Sequence, residues 1–219
     1  MSSRYGAWQV RVQQGVTALL LALALPVAMA QAAVPAPARK VLVMGDSLSA
    51  AYGLSPAQGW VALTDRRLQA QRPGWRMANA SVSGETTAGG ASRIAGELAR
   101  HKPEVVVIEL GANDGLRGLP LVQTRANLER MIVASRKSGA RVLLLGMRMP
   151  PNFGPQYTQG FERNYSDLAR KHGIALLPFL LEPIATDRSA FQSDNLHPVA
   201  AVQPRLRDHV WKALAPLLR

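Results

Sequence analysis

The sequence contains no cysteine. That excludes disulfides, thiolate catalysis, cysteine-ligated zinc and attachment through a lipid-modified N-terminal cysteine. A Walker loop, a His-Glu-x-x-His pair and a dinucleotide fingerprint are also absent, so no metal or organic cofactor is expected. Acidic residues are few, 14 against 26 Lys and Arg, and the chain carries a net charge of +12. The basic residues do not gather: Arg66, Arg67, Arg72, Arg76, Arg93 and Arg100 are scattered. Nucleic-acid binders cluster such residues and interleave aromatics, so no nucleic-acid partner is expected. The charge reads as a solvated basic surface with loose attraction to anionic lipid or acidic polymer. No repeat or composition break divides the chain, and 219 residues suit one domain. An apolar content of 47% excludes a disordered polypeptide.

No hydrophobic run is long enough to span a bilayer. The longest, residues 16–29, is broken by Pro26 and falls short of the roughly twenty residues required. Arg4 and Arg11 precede it with no acid among them, and Ala28-Met29-Ala30 follows as a small-x-small cleavage site. Residues 1–30 therefore read as a signal peptide, with an uncleaved anchor as the alternative. The lack of an Arg-Arg pair argues against a twin-arginine route. Export to a periplasm or beyond is expected, with no stable membrane insertion after cleavage, and loss of Arg4 and Arg11 leaves a charge of +10. Residues 31–40, rich in Ala and Pro, read as an extended leader, and 41–219 as the folded domain.

Within that domain strands and helices alternate. Strands are expected at 41–44, 75–80, 104–110, 141–146 and 174–177, and helices at 59–71, 88–101, 120–138, 156–172 and 199–218, the last interrupted near its start by Pro204. The run Glu-Val-Val-Val-Ile-Glu-Leu at 104–110 is the clearest strand, because a continuous β-branched stretch suits a strand covered on both faces. This order predicts an α/β fold with a mainly parallel five-stranded sheet and helices on both faces. In such sheets ligands bind at the carboxyl ends of the strands.

That rule selects among the polar residues. Gly45-Asp46-Ser47-Leu48-Ser49 leaves the first strand, with Gly45 expected to let the backbone turn and Ser47 placed as a nucleophile if a base reaches it. The competing reading is a helix cap. Of four histidines, His101 and His172 precede strands and lie at the amino edge, and His209 sits within the last helix. Only His197 follows the last strand. Asp194 lies three residues before it, where a carboxylate could hold Nδ1 and leave Nε2 for Ser47. A solvent-exposed Asp turn is the alternative. The loops after strands two and three offer an N–H of Gly84 and the amide of Asn113 as oxyanion donors, although Gly and Asn are also ordinary turn residues.

Gly45-Asp46-Ser47-Leu48-Ser49, Gly84, Gly111-x-Asn113-Asp114 and Asp194-x-x-His197, in this order and spacing, resemble the GDSL or SGNH hydrolase family. The stretches 79–84 and 113–118 resemble its multifunctional thioesterase, lysophospholipase and arylesterase group in particular. The resemblance covers about residues 41–218. It implies a three-layer flavodoxin-like SGNH-hydrolase fold and hydrolysis of carboxylic esters and thioesters through an acyl-enzyme, by a protein acting as a monomer on small-molecule or lipid substrates. It implies Ser47 as nucleophile, His197 as base and then acid, and Asp194 as its orienter. The oxyanion donors would be the N–H groups of Ser47 and Gly84 and the side chain of Asn113. It further implies an acyl crevice lined by Leu116, Met149 and Leu196, a mobile loop at 114–120, and Asp46 steadying the nucleophile loop rather than moving protons. Ala112 and Asn195 stand where relatives carry glycine, so tighter backbone is expected at Asn113 and in the Asp194–His197 turn. A carbohydrate O-deacetylase with the same triad and a non-catalytic envelope binding module are the alternative functions.

Overall fold

A computed structural model describes residues 38–219; the expected signal peptide and most of the leader lie outside the described residues. β1 (Arg39–Gly45), β2 (Trp75–Asn79), β3 (Val105–Glu109), β4 (Arg141–Leu145) and β5 (Ala175–Leu177) form one sheet in the order β2-β1-β3-β4-β5. Every pairing is parallel, so the sheet is parallel throughout rather than mainly so. β1 begins at Arg39, opposite Trp75, and two residues of the 31–40 stretch therefore belong to the sheet. The order places a switch point between β1 and β3, where the chain's crossovers change face and a crevice opens at the carboxyl edge.

The helices are α1 (Trp60–Gln71), α2 (Thr87–His101), the short α3 (Ala112–Leu116), α4 (Leu121–Lys137), α5 (Pro155–His172) and α6 (Gln203–Leu214). α2, α4 and α5 pack side by side on one face, and α1 packs with α6 on the other. Between these layers β1 and β4, beyond their basic first residues, and β3 are buried and largely apolar, as parallel strands covered on both faces must be. The closing helix is shorter than expected. Its regular part is Gln203–Leu214, with 3-10 turns at Ala200–Val202 and Ala215–Leu217. Pro204 does not interrupt it. It occupies the first turn, where a missing N–H costs no helical hydrogen bond.

One residue breaks the apolar rule. Glu109, the last residue of β3, is fully buried. It lies opposite Gly45 in the β1–β3 register, at the switch point.

Candidate active site

The carboxyl edge gathers the residues singled out above. After Gly45 the chain enters a helical turn in which the Ala50 N–H bonds the Asp46 carbonyl at 2.9 Å and the Tyr52 N–H bonds that of Ser47 at 3.1 Å. Asp46 caps it, its Oδ1 accepting the Leu48 N–H at 3.0 Å. The cap reading thus holds for Asp46, while the Ser47 side chain does something else. Its Oγ lies 2.8 Å from His197 Nε2. His197 Nδ1 lies 2.7 Å from Asp194 Oδ2. Gly45 serves in a way other than turning the chain: a Cβ there would come within 2.7 Å of the Ser49 Cβ and 2.8 Å of Glu109 Oε2, so its role is to let these side chains approach the strand.

The Asp194–His197 turn is built locally. Asp194 Oδ1 accepts the N–H groups of Leu196 at 2.9 Å and His197 at 3.0 Å. Those two donors, with the imidazole behind them, hold the Asp194 carboxyl down at about 2, because they stabilise the ionised form. Asn195 takes φ +56°. This is the left-handed region in which Asn substitutes for glycine at low cost, so its side chain leaves the turn as it is. Gln192 joins the two halves of the site. Its Nε2 donates to the Tyr52 carbonyl at 2.9 Å and to that of Pro198 at 3.2 Å. The Tyr52 ring packs against the imidazole, 4.5 Å between centroids.

The other histidines lie elsewhere. His172 bonds Glu129 at 2.6 Å, His101 pairs with Glu97 at 3.3 Å, and His209 Nε2 lies 3.0 Å from the Phe179 carbonyl.

The oxyanion candidates converge on the same crevice. Asn113 is in α3, whose N-cap Gly111 has φ +122°. Ala112 sits within that helix, so its methyl asks nothing unusual of the backbone, and the expected restriction does not arise. Asn113 Nδ2 donates to the Glu85 carbonyl at 3.0 Å and to Asp46 Oδ2 at 3.3 Å. Asp114 is buried and accepts from the Thr87 N–H at 2.8 Å and from the Thr87 hydroxyl, which anchors α3 to α2. Ser47, Gly84 and Asn113 all border a cavity of about 380 Å³. Its walls are mostly apolar: Met149 is buried, Leu116 and Leu196 stand exposed at its rim, and Met147, Phe179 and Leu181 complete it. The Tyr157 hydroxyl donates to the Leu119 carbonyl at 3.0 Å and so fastens the 114–120 loop beside the opening.

Beneath the nucleophile turn lies a pair of buried carboxyls. Glu109 Oε2 accepts the Ser49 hydroxyl at 2.7 Å and the Asp46 N–H at 3.3 Å. The Asp46 and Glu109 carboxyls lie close enough for the charge of Asp46 to act on Glu109. Burial pushes Asp46 up to about 6. Burial, and then the charge of Asp46, raise Glu109 well above the usual carboxylate range. Sequence reasoning missed Glu109, Gln192 and Tyr52. The first carried a signal, an acid between the apolar Ile108 and Leu110 of the expected strand.

Among the described residues no three His, Asp or Glu side chains gather as a metal site, and no helix is long and apolar enough to cross a membrane.

Known proteins resemble this chain in sequence and in fold. The sequence is 49% identical over 183 residues to Esterase TesA of Pseudomonas aeruginosa, covering 84% of this chain and 91% of that protein. It is 37% identical over 183 residues to Thioesterase 1/protease 1/lysophospholipase L1 of Escherichia coli strain K12, covering 84% and 86%. The crystal structure of the psychrotrophic esterase EstA from a Pseudoalteromonas species, inhibited by monoethylphosphonate, superposes with a TM-score of 0.79 at 36% identity, covering 82% of this chain and 98% of that one. Residues 43–203 match the profile of the GDSL-like lipase/acylhydrolases. The chain belongs to the GDSL-like lipase/acylhydrolase family.

Proposed function

We propose that this protein is a serine esterase that hydrolyses carboxylic esters and thioesters of apolar acids, with Ser47, His197 and Asp194 as its triad. The observation that carries the reading is the continuous contact Ser47 Oγ–His197 Nε2, His197 Nδ1–Asp194 Oδ2, at 2.8 and 2.7 Å, opening onto an apolar cavity. Asp194 accepts the Nδ1 proton and leaves Nε2 able to take the proton of Ser47 as the hydroxyl attacks the carbonyl. The tetrahedral oxyanion is held by the N–H groups of Ser47 and Gly84 and by Asn113 Nδ2, whose longer contact, 3.3 Å to Asp46, is the one readily exchanged for it. The protonated imidazole then hands its proton to the departing alcohol or thiol. Water, deprotonated by the same imidazole, releases the acid from Ser47. Leu116, Met149 and Leu196 receive the acyl chain, which the wall chemistry favours over a sugar. The named relatives are likewise an esterase and a thioesterase with lysophospholipase activity. All reacting parts come from one chain, consistent with a monomer. The N-terminal sequence, Arg4 and Arg11 before an apolar run and Ala28-Met29-Ala30, supports export to the periplasm or beyond.

The test is turnover of p-nitrophenyl esters of graded chain length by the purified protein and by Ser47→Ala. Activity rising from acetyl toward longer acyl groups and a loss of 10⁴-fold or more in the variant, an order of magnitude set by triad removal, are expected. Full activity in Ser47→Ala ends the proposal.

A further inference from the structure

The buried carboxyl pair is outside the triad and has a role of its own in the arrangement. Asp46 and Glu109 are both 0% exposed, and no basic side chain is among their hydrogen-bond partners. Two neighbouring carboxylates out of water repel strongly, and one proton held by the pair relieves that repulsion. The hydrogen bonds distinguish the four carboxyl oxygens. The two Asp46 oxygens each accept an N–H, from Leu48 at 3.0 Å and from Asn113 at 3.3 Å. Glu109 Oε2 accepts from Ser49 and from the Asp46 N–H. Glu109 Oε1 is buried and has no hydrogen-bond partner. It is the one oxygen of the four without a hydrogen-bond partner, and a buried oxygen left so is costly.

We propose that Glu109 is a positioning residue of the reaction: as a neutral acid it donates its Oε1 hydrogen to Asp46, and so holds the nucleophile turn and limits the negative charge beside the oxyanion donor. The inference rests on the esterase reading above. Asp46 is bonded on one side to Leu48, immediately after Ser47, and on the other to Asn113. A fully ionised pair would draw the Asn113 amide away from the oxyanion and place a second negative charge against it. With the shared proton, the pair carries one charge and the amide is released at low cost. The other titratable groups near the pair are His197, whose charge acts on Asp46, and Tyr165 from α5, which also lies near Asp114 of α3. Tyr165 is already committed, its hydroxyl donating to the Leu110 carbonyl at 2.9 Å, so it does not neutralise the pair.

Glu109→Gln keeps a neutral side chain with one donor and one acceptor, whereas Glu109→Ala removes both. The expected result is kcat within about threefold of the parent for Glu109→Gln. Glu109→Ala should lose roughly tenfold to a hundredfold in kcat with KM little changed, the scale expected when a reacting group is misplaced. The independent readout is infrared difference spectroscopy of the full-length folded protein at neutral pH. A protonated-carboxyl C=O band should be present in the parent and missing in Glu109→Gln. The absence of that band in the parent, or a folded Glu109→Gln as impaired as Glu109→Ala, would overturn the inference. If Glu109→Ala does not fold, the band and the Glu109→Gln rate decide the matter. The band is measured without substrate, so its failure leaves the esterase reading standing, while full activity in Ser47→Ala removes that reading and leaves the shared proton in place.

Discussion

Replacing Asp194 by Asn separates orientation from presence, because it preserves shape and changes one hydrogen. Asp194 performs two tasks. Oδ1 accepts two backbone N–H groups of its own turn, and Oδ2 accepts from His197 Nδ1 at 2.7 Å. An Asn can keep its oxygen on the two N–H groups, and its NH2 then faces Nδ1. That favours the tautomer with Nδ1 bare and the hydrogen on Nε2, where it opposes proton removal from Ser47. Loss of the orienting carboxylate from a Ser-His-Asp triad costs about 10⁴ in kcat, or about 5 kcal/mol of barrier. The fold should feel far less. The Asp194 side chain is 37% exposed, and exchanging charged for neutral acceptors at such a site costs on the order of 1 kcal/mol after screening. The assay is kcat on a p-nitrophenyl ester beside a thermal melt of each protein. A fall in kcat of three orders or more with Tm within a few degrees is expected. A well-folded Asp194→Asn within tenfold of the parent would refute the assignment of tautomer control to this residue.

Two further outcomes follow from geometry already described. The Asp194 carboxyl is held at about 2 in the fold against an ordinary 3.8, so folding favours its ionised form. Its contribution to stability is complete above 3.8 and disappears as the pH falls toward 2; denaturant melts across that window should therefore show a loss that Asp194→Asn does not share. Gly111→Ala combines φ +122° with a methyl only 2.2 Å from the Tyr165 hydroxyl. Backbone strain and overpacking together predict a loss of about 3 kcal/mol, roughly 10 °C in Tm, and a melt unchanged by the substitution would contradict that account.

Much of the site was legible because the topology filters residues by sheet edge. His197 emerged by elimination, since a histidine ahead of a strand starts at the wrong edge, and the structure leaves His101 and His172 with acidic partners there. The β3 strand was plain from its β-branched run. Glu109 was not read for what it is, because strand periodicity gives its burial but not its neighbours: they arrive from Asp46 and Ser49, some sixty residues earlier in the chain. Gln192 and Tyr52 were hidden for the same reason, being polar and aromatic residues whose partners are set by two loops meeting. The shortened closing helix reflects the weakness of an apolar pattern at helix ends, where 3-10 turns continue the chain on either side.

The sheet order has a consequence for diversification. The turns following β1, β2 and β3 contribute Ser47, Gly84 and Asn113, whereas Met147 and Met149 of the cavity wall enter from the turn following β4. Leu116 and Leu196 share their stretches with Asn113 and His197, but the methionine part of the wall stands on a stretch that carries no reacting group. Exchanging the 147–153 stretch should retune which acid is accepted while the bond-breaking apparatus keeps its alignment, a modular inheritance that lets one scaffold explore many substrates by small local edits.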